Sequence, residues 1–170
     1  MRWSPLKQSL FGAMMASLAA ILQASGGLLP GIGMFLSPFT TLPILVSTLV
    51  SFRTGILTYI LTILLLLLME PSELFIFPFT TGLLGIGLGW TFRILQRRLQ
   101  IILINGLLLF IGICIPLYVL GFPVFGPAVA SDFAGSILVM IFGFSLLYSW
   151  LWLELGLLFL RKIEIILRSE

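Results

Sequence analysis

Four threonine hydroxyls stand at matching places in the chain. The tetrad Pro-Phe-Thr-Thr occurs at residues 38–41 and again at 78–81, forty residues later. If each copy begins a helix and the two helices run in the same direction, the hydroxyls lie at one depth and can hydrogen-bond a small ligand held between the helices. The alternative is that each hydroxyl bonds back to a carbonyl of the preceding turn. The candidate ligand-binding residues are Thr40, Thr41, Thr80 and Thr81.

Three more side chains complete this candidate substrate-binding set. Phe35 precedes the first tetrad, Tyr118 lies near the end of a later apolar segment, and Asp132 is the one charged residue between positions 121 and 136. Asp132 also stands just before an apolar segment, where a carboxylate can cap a helix, and we expect this structural role ahead of ligand binding.

The two tetrads are part of a longer repeated pattern. Each is followed by an arginine fifteen residues after its proline, namely Arg53 and Arg93. A parallel internal duplication explains this spacing, and so does chance in a chain rich in Phe, Pro and Thr.

The chain lacks the residues that several classes of chemistry require. The chain has no His and one Cys, Cys114, and no phosphate-binding loop ending in Gly-Lys-Ser/Thr. These absences argue against metal binding, Ser-His catalysis and intrinsic ATP hydrolysis. We therefore expect no enzyme activity, no cofactor and no metal.

The composition is that of an integral membrane protein. Of the 170 residues, 60% are hydrophobic and only 9% are charged, and the mean hydropathy is +1.24. The pattern predicts an all-α fold with six transmembrane helices in a single domain, residues 1–170. The expected helices span residues 8–25, 33–52, 54–69, 74–92, 99–121 and 134–160.

The charges predict an orientation. With six spans, every basic residue falls on one side of the membrane, which is the cytoplasmic side by the positive-inside rule. The opposite connections carry only the acidic residues Glu70, Glu73 and Asp132. We expect both termini in the cytoplasm, and no nucleic-acid binding, because the basic residues mark helix ends. These residues are Arg2, Lys7, Arg53, Arg93, Arg97, Arg98, Arg161, Lys162 and Arg168.

The first apolar segment carries a stripe of small residues at a spacing of four, Gly12, Ala16, Ala20 and Ala24. In lipid, such a stripe lets a second helix approach closely. It is either a docking surface for a partner or a packing face within the chain's own bundle. The apolar connection at residues 26–33 then either covers a cavity as a lid or lies at the membrane interface.

The six predicted helices with both ends inside, and the Ala-x-x-x-Ala pattern of Ala16, Ala20 and Ala24, resemble the substrate-binding S components of energy-coupling factor (ECF) vitamin transporters of prokaryotes. The Pro and Gly residues at the starts of helices two and four are also similar. The resemblance implies a multi-pass protein of the bacterial cell (inner) membrane that takes up a small vitamin-like solute from the outer face. It also implies that the helix-one stripe docks on a membrane T subunit coupled to two cytoplasmic ATPases.

The outer half of the chain offers few polar groups, which favours a compact, largely apolar ligand. The alternative function is a non-transporting membrane scaffold or assembly protein of a bacterial cell-envelope complex.

Overall fold

The computed structural model describes residues 4–29, 31–121 and 135–168, with side chains up to Arg161. Within these ranges the chain forms α-helices, short 3₁₀ and π turns and connecting segments, and no strand. The α-helices are α1 (Pro5–Leu28), α2 (Ile32–Leu36), α3 (Thr41–Val50), α4 (Phe52–Met69), α5 (Thr81–Ile94), α6 (Arg98–Cys114) and α7 (Gly135–Arg168).

The predicted helix at 33–52 is interrupted. A 3₁₀ turn, Ser37–Thr40, joins α2 to α3, and Pro38 stands at its start. Proline has no N–H to donate and its ring clashes with the preceding turn, so the chain tightens here without leaving the helical path.

The predicted helix at 74–92 begins later than expected. A 3₁₀ turn, Pro71–Phe75, is followed by turns, and α5 starts only at Thr81. Pro78 restricts Phe77 and cannot donate to the previous turn, which prevents a regular helix across this stretch. The result is a compact connection of short turns before α5.

Proline also shapes the end of the 99–121 segment. Beyond α6 the helix widens into a π turn, Ile115–Val119, in which the Leu120 amide donates to the Ile115 carbonyl at 3.1 Å. Pro116, which has no N–H to donate, stands near the start of this wide turn.

Five helical segments are long and apolar enough to cross a membrane: Pro5–Leu28, Ile32–Val50, Phe52–Met69, Arg98–Val119 and Gly135–Arg161. The remaining helix, α5, has 14 residues and is about 21 Å long, against a hydrocarbon core of about 30 Å. The all-helical membrane fold is confirmed at this level.

Neighbouring helices pack in register, which reveals their directions. Gly12 of α1 contacts Thr54 and Thr58 of α4, and Thr62 lies opposite Ala16, so α1 and α4 are parallel.

The pair α3 and α5 is parallel as well. Gly85 lies against Ile44, and Gly89 against Thr48. Because both pairs of contacts advance together along the chain, the two helices that follow the Pro-Phe-Thr-Thr tetrads run side by side in the same direction.

Side-chain contacts gather basic residues at one end of the bundle. The Arg93 guanidinium donates to the Leu49 carbonyl at 2.6 Å, in the last turn of α3. Arg98 forms an ion pair with Glu154 at 3.1 Å. The connection that contains Glu70 and Glu73 lies at the other end of α4, so charge is segregated along the bundle.

Candidate functional site

The small-residue stripe of α1 lies inside the bundle. Its four residues are buried, with Ala16, Ala20 and Ala24 no more than 1% exposed. Facing them, Thr54, Thr58 and Thr62 of α4 repeat the same spacing of four, and the Thr58 oxygen lies 3.2 Å from the Gly12 carbonyl oxygen. This corrects the expectation of a docking stripe made of Gly12, Ala16, Ala20 and Ala24: it is the packing face for α4.

The four tetrad threonines do not converge on one ligand. Thr80 donates to the Ile76 carbonyl at 2.8 Å, which is the back-bonding alternative. Thr40 lies 3.5 Å from the Ala19 carbonyl of α1, and Thr81 donates to the side chain of Gln23 at 2.8 Å. Thr41 points towards α7, where the Tyr148 hydroxyl is nearby. The shared depth is present, but the hydroxyls enter different interfaces.

The other predicted contacts are dispersed. The side chain of Phe35 is 78% exposed, so it closes no cavity among the described residues. Tyr118 packs at the edge of a core cluster formed with Leu84, Leu88 and Leu153. Asp132 lies outside the described residues.

A buried polar cluster joins α1, the turn before α5, and α5 itself. The Gln23 amide Nε2 donates to Glu73 Oε2 at 2.7 Å, and Gln23 Oε1 accepts from the Thr81 hydroxyl at 2.8 Å. Gln23 is 1% exposed, Glu73 is 6% exposed and Thr81 is also buried. Because both ends of the carboxamide are engaged, Gln23 fixes the position of one carboxylate oxygen.

Two adjacent glycines let the carboxylates approach the last turn of α1. A Cβ at Gly26 would lie 3.0 Å from Glu73 Oε1 and 3.4 Å from the Ser37 hydroxyl oxygen. A Cβ at Gly27 would lie 2.9 Å from the Glu70 carboxyl carbon. The space beside these glycines is therefore bordered by oxygen atoms of three side chains from two segments, the turn that begins at Ser37 and the connection that contains Glu70 and Glu73.

The electrostatics of this cluster favour a positive charge. The α1 C-terminus carries the negative end of the helix dipole, and two carboxyl groups lie against it. The chain has no Lys or Arg between Lys7 and Arg53, or between Arg53 and Arg93, so the segments that build the cluster supply no basic partner.

The pKa of Glu73 reflects this setting. Burial raises the pKa of this carboxyl above its ordinary value, the hydrogen bond from Gln23 lowers it, and the nearby Glu70 charge raises it again. The net direction is upward, so the charged form is costly in the unliganded protein.

The sequence contained part of this site. Thr81 was among the predicted binding residues, and Glu73 was recognised as an acidic residue of an outer connection. Gln23 was missed. Its signal was a carboxamide near the end of an apolar helix, since polar side chains at such positions generally face protein rather than lipid.

A second polar contact lies between α5 and α6. Asn105 is fully buried and donates to the Thr91 hydroxyl at 2.8 Å and to the Ile101 carbonyl at 2.9 Å. Its oxygen packs on Gly87, where a Cβ would approach to 2.5 Å. This arrangement holds α5 and α6 together through a buried side-chain contact.

No family model matches the chain, and neither a curated protein nor a solved structure matches it.

Proposed function

We propose that this protein is the membrane-embedded, solute-binding subunit of an ECF-type uptake transporter. It takes a small vitamin-like solute from the outer face of the bacterial cell membrane. A membrane T subunit and two cytoplasmic ATPases supply the energy, because the chain has no nucleotide-binding loop of its own.

The observation that carries the proposal is the buried cluster of Gln23, Glu73 and Thr81. An ionisable group held away from water in a membrane protein is costly and is generally kept for function. The cluster lies at the end of the bundle opposite Arg93 and Arg98, which on the positive-inside rule is the outer end.

The proposal includes six spans with both termini in the cytoplasm. Since α4 and α6 both run from the basic end, the chain must return between them, and α5 with the preceding turns 71–80 supplies that return. Of these turns, residues 76–80 extend α5 across the membrane, whereas Ser72 and Glu73 belong to the outer connection.

With the stripe covered by α4, contact between α1 and a T subunit uses another face. Bulky apolar side chains of α1 remain exposed on that face, among them Leu10, Met14 and Ile21. We include a T-subunit contact through this exposed face in the proposal.

Coexpression with an energy-coupling module tests the function. The full chain is expected to copurify with the T subunit and both ATPases from detergent-solubilised membranes. Met14→Arg, which places a charge on the exposed face of α1, should reduce the recovered complex severalfold, and Gln96→Arg, in the exposed connection between α5 and α6, should not. Purification of the chain alone under all conditions would overturn the transporter assignment and favour the membrane scaffold.

A further inference from the structure

We propose that the Glu73 cluster binds the protonated amine of a small solute, an inference that rests on the proposed solute-binding function and names its substrate class. This ligand class differs from the compact, largely apolar ligand that the sequence favoured.

One carboxylate oxygen of Glu73 receives no hydrogen bond from the described residues. The carboxylate is 6% exposed, and Gln23 bonds only its Oε2. Among the described residues, no donor reaches Oε1. A carboxylate that is nine-tenths buried with one oxygen unpaired lacks a hydrogen-bond donor, and a charged donor would best offset its burial.

Further hydrogen-bond acceptors lie around that oxygen. The Ser37 hydroxyl and Glu73 Oε1 both lie within 3.4 Å of the place where a Gly26 Cβ would stand, and the Glu70 carboxyl packs on the adjacent Gly27. An alkylammonium group has three N–H donors on one atom. The oxygens of three side chains, Ser37, Glu70 and Glu73, match that number.

The side chains of the cluster suit an amine better than a metal ion. The described residues contain no group of three or more His, Cys, Asp or Glu side chains suited to a metal. Divalent cations such as Ca²⁺ take six to eight oxygen ligands, more than this cluster provides. A single positive charge with hydrogen-bond donors fits the two carboxyls and one hydroxyl better.

The test uses the purified full chain in lipid nanodiscs. Methylammonium and 1,4-diaminobutane are titrated at constant ionic strength, with tetramethylammonium and sodium as cations that have no N–H donor. Both amines are expected to raise the melting temperature in a saturable way, by mass action on the folded state. Neither control cation should do so.

Matched variants locate the effect. Glu73→Gln keeps an oxygen that can accept from Gln23, so the fold is preserved while the charge is lost, and the amine shift should disappear. Glu70→Gln should weaken it severalfold. Gly26→Ala, whose methyl group enters the space beside Oε1, should also abolish the shift without removing any charge.

Absence of a saturable shift with both amines overturns the inference, and so does a shift of unchanged size in Glu73→Gln. A shift produced equally by sodium reassigns the site to an alkali cation and also overturns it. If a neutral vitamin binds wild type and Glu73→Gln alike, the substrate class is wrong but solute binding stands. If the amines bind but no energy-coupling module copurifies, the site stands and the transporter assignment fails.

Discussion

In our proposal, solute binding depends on the carboxyl group of Glu73. It is held by Gln23, lies near a second carboxyl and is buried, and residues 8–52 and 54–92, which build its cluster, contain no Lys or Arg. In water such a group would be ionised at neutral pH, and in this position ionisation has a cost. A buried ionisable group whose charged form is costly is generally kept in a membrane protein for function.

This cost predicts a pH dependence of stability. Because the folded-state pKa of Glu73 is raised above 4.5, its contribution favours folding fully below pH 4.5 and is lost as pH rises through the folded-state pKa. Glu73→Gln should therefore be more stable than wild type at neutral pH, and the difference should disappear in acid. Among the described residues, the groups near Glu73 are Gln23, Ser37 and the charged Glu70, and Thr81 reaches it through Gln23.

Unfolding by detergent denaturation at several pH values measures this difference, with Glu70→Gln as the control that retains the buried carboxyl. A wild type that equals or exceeds Glu73→Gln at neutral pH would show that the ionised carboxyl is not costly.

Gln23 permits a second prediction at this scale. Gln23→Leu removes the donor to Glu73 and the acceptor for Thr81, leaving two buried polar groups without their partner. We expect destabilisation of about 2 to 6 kcal/mol, from about 1 to 3 kcal/mol for each of the two unsatisfied groups. Thr80→Val, which removes only a local back-bond, should cost about 1 kcal/mol or less. Equal losses in the two variants, measured by the same denaturation, would contradict the proposed network.

At the scale of the elements, glycines set how closely α3 and α5 approach. A Cβ at Gly85 would lie 2.7 Å from the Cβ of Ile44 and 3.0 Å from the Thr41 carbonyl oxygen. Gly85→Ala must therefore push backbone away from backbone, and we expect a loss of about 1 to 3 kcal/mol.

Gly143 supplies the matched control, because a Cβ there meets nothing within 4 Å and the residue is exposed on α7. Gly143→Ala should be neutral or stabilising by up to about 1 kcal/mol, since alanine favours the helix. Comparable losses at both glycines would mean that α3 and α5 do not pack as described.

The sequence predicted the helices better than their interfaces. Runs of apolar residues marked the five membrane-length segments. The late start of α5 was missed, because Pro78 follows other apolar residues that read as helix. The function of the α1 stripe was also not predictable, because a small-residue face suits a partner and a neighbouring helix equally.

The threonines show the same limit within the site. Their spacing predicted a common depth, and the start of α3 at Thr41 and of α5 at Thr81 agrees with it. Which interface each hydroxyl enters depends on helix rotation, and helix rotation follows from packing across the whole bundle. Only Thr81 meets the polar cluster.

At the scale of the whole molecule, the proposal requires α5 to cross the membrane. Ser72 precedes α5 and Gln96 follows it, and both are exposed. In a Cys114→Ser background, Ser72→Cys should react with an impermeant maleimide in intact cells, whereas Gln96→Cys should react only in inverted vesicles. Labelling of both positions from the same side would contradict six spans.

Basic and acidic residues lie at opposite ends of the bundle. Arg93 and Arg98 are engaged at one end, by the α3 terminus and by Glu154, while the buried carboxyl lies at the other. A solute of positive charge is attracted to the acidic end and an anionic lipid surface to the basic end. The proposed orientation and the proposed ligand class therefore both rest on this one charge distribution.

Native mass spectrometry of the intact protein released from nanodiscs tests the solute-binding claim most directly. Wild-type protein incubated with 1,4-diaminobutane should carry one added diamine, and Glu73→Gln prepared in parallel should carry none. Glu70→Gln should carry it at reduced occupancy. Equal occupancy in wild type and Glu73→Gln, or no adduct on wild type at any concentration, would contradict a solute site built around Glu73.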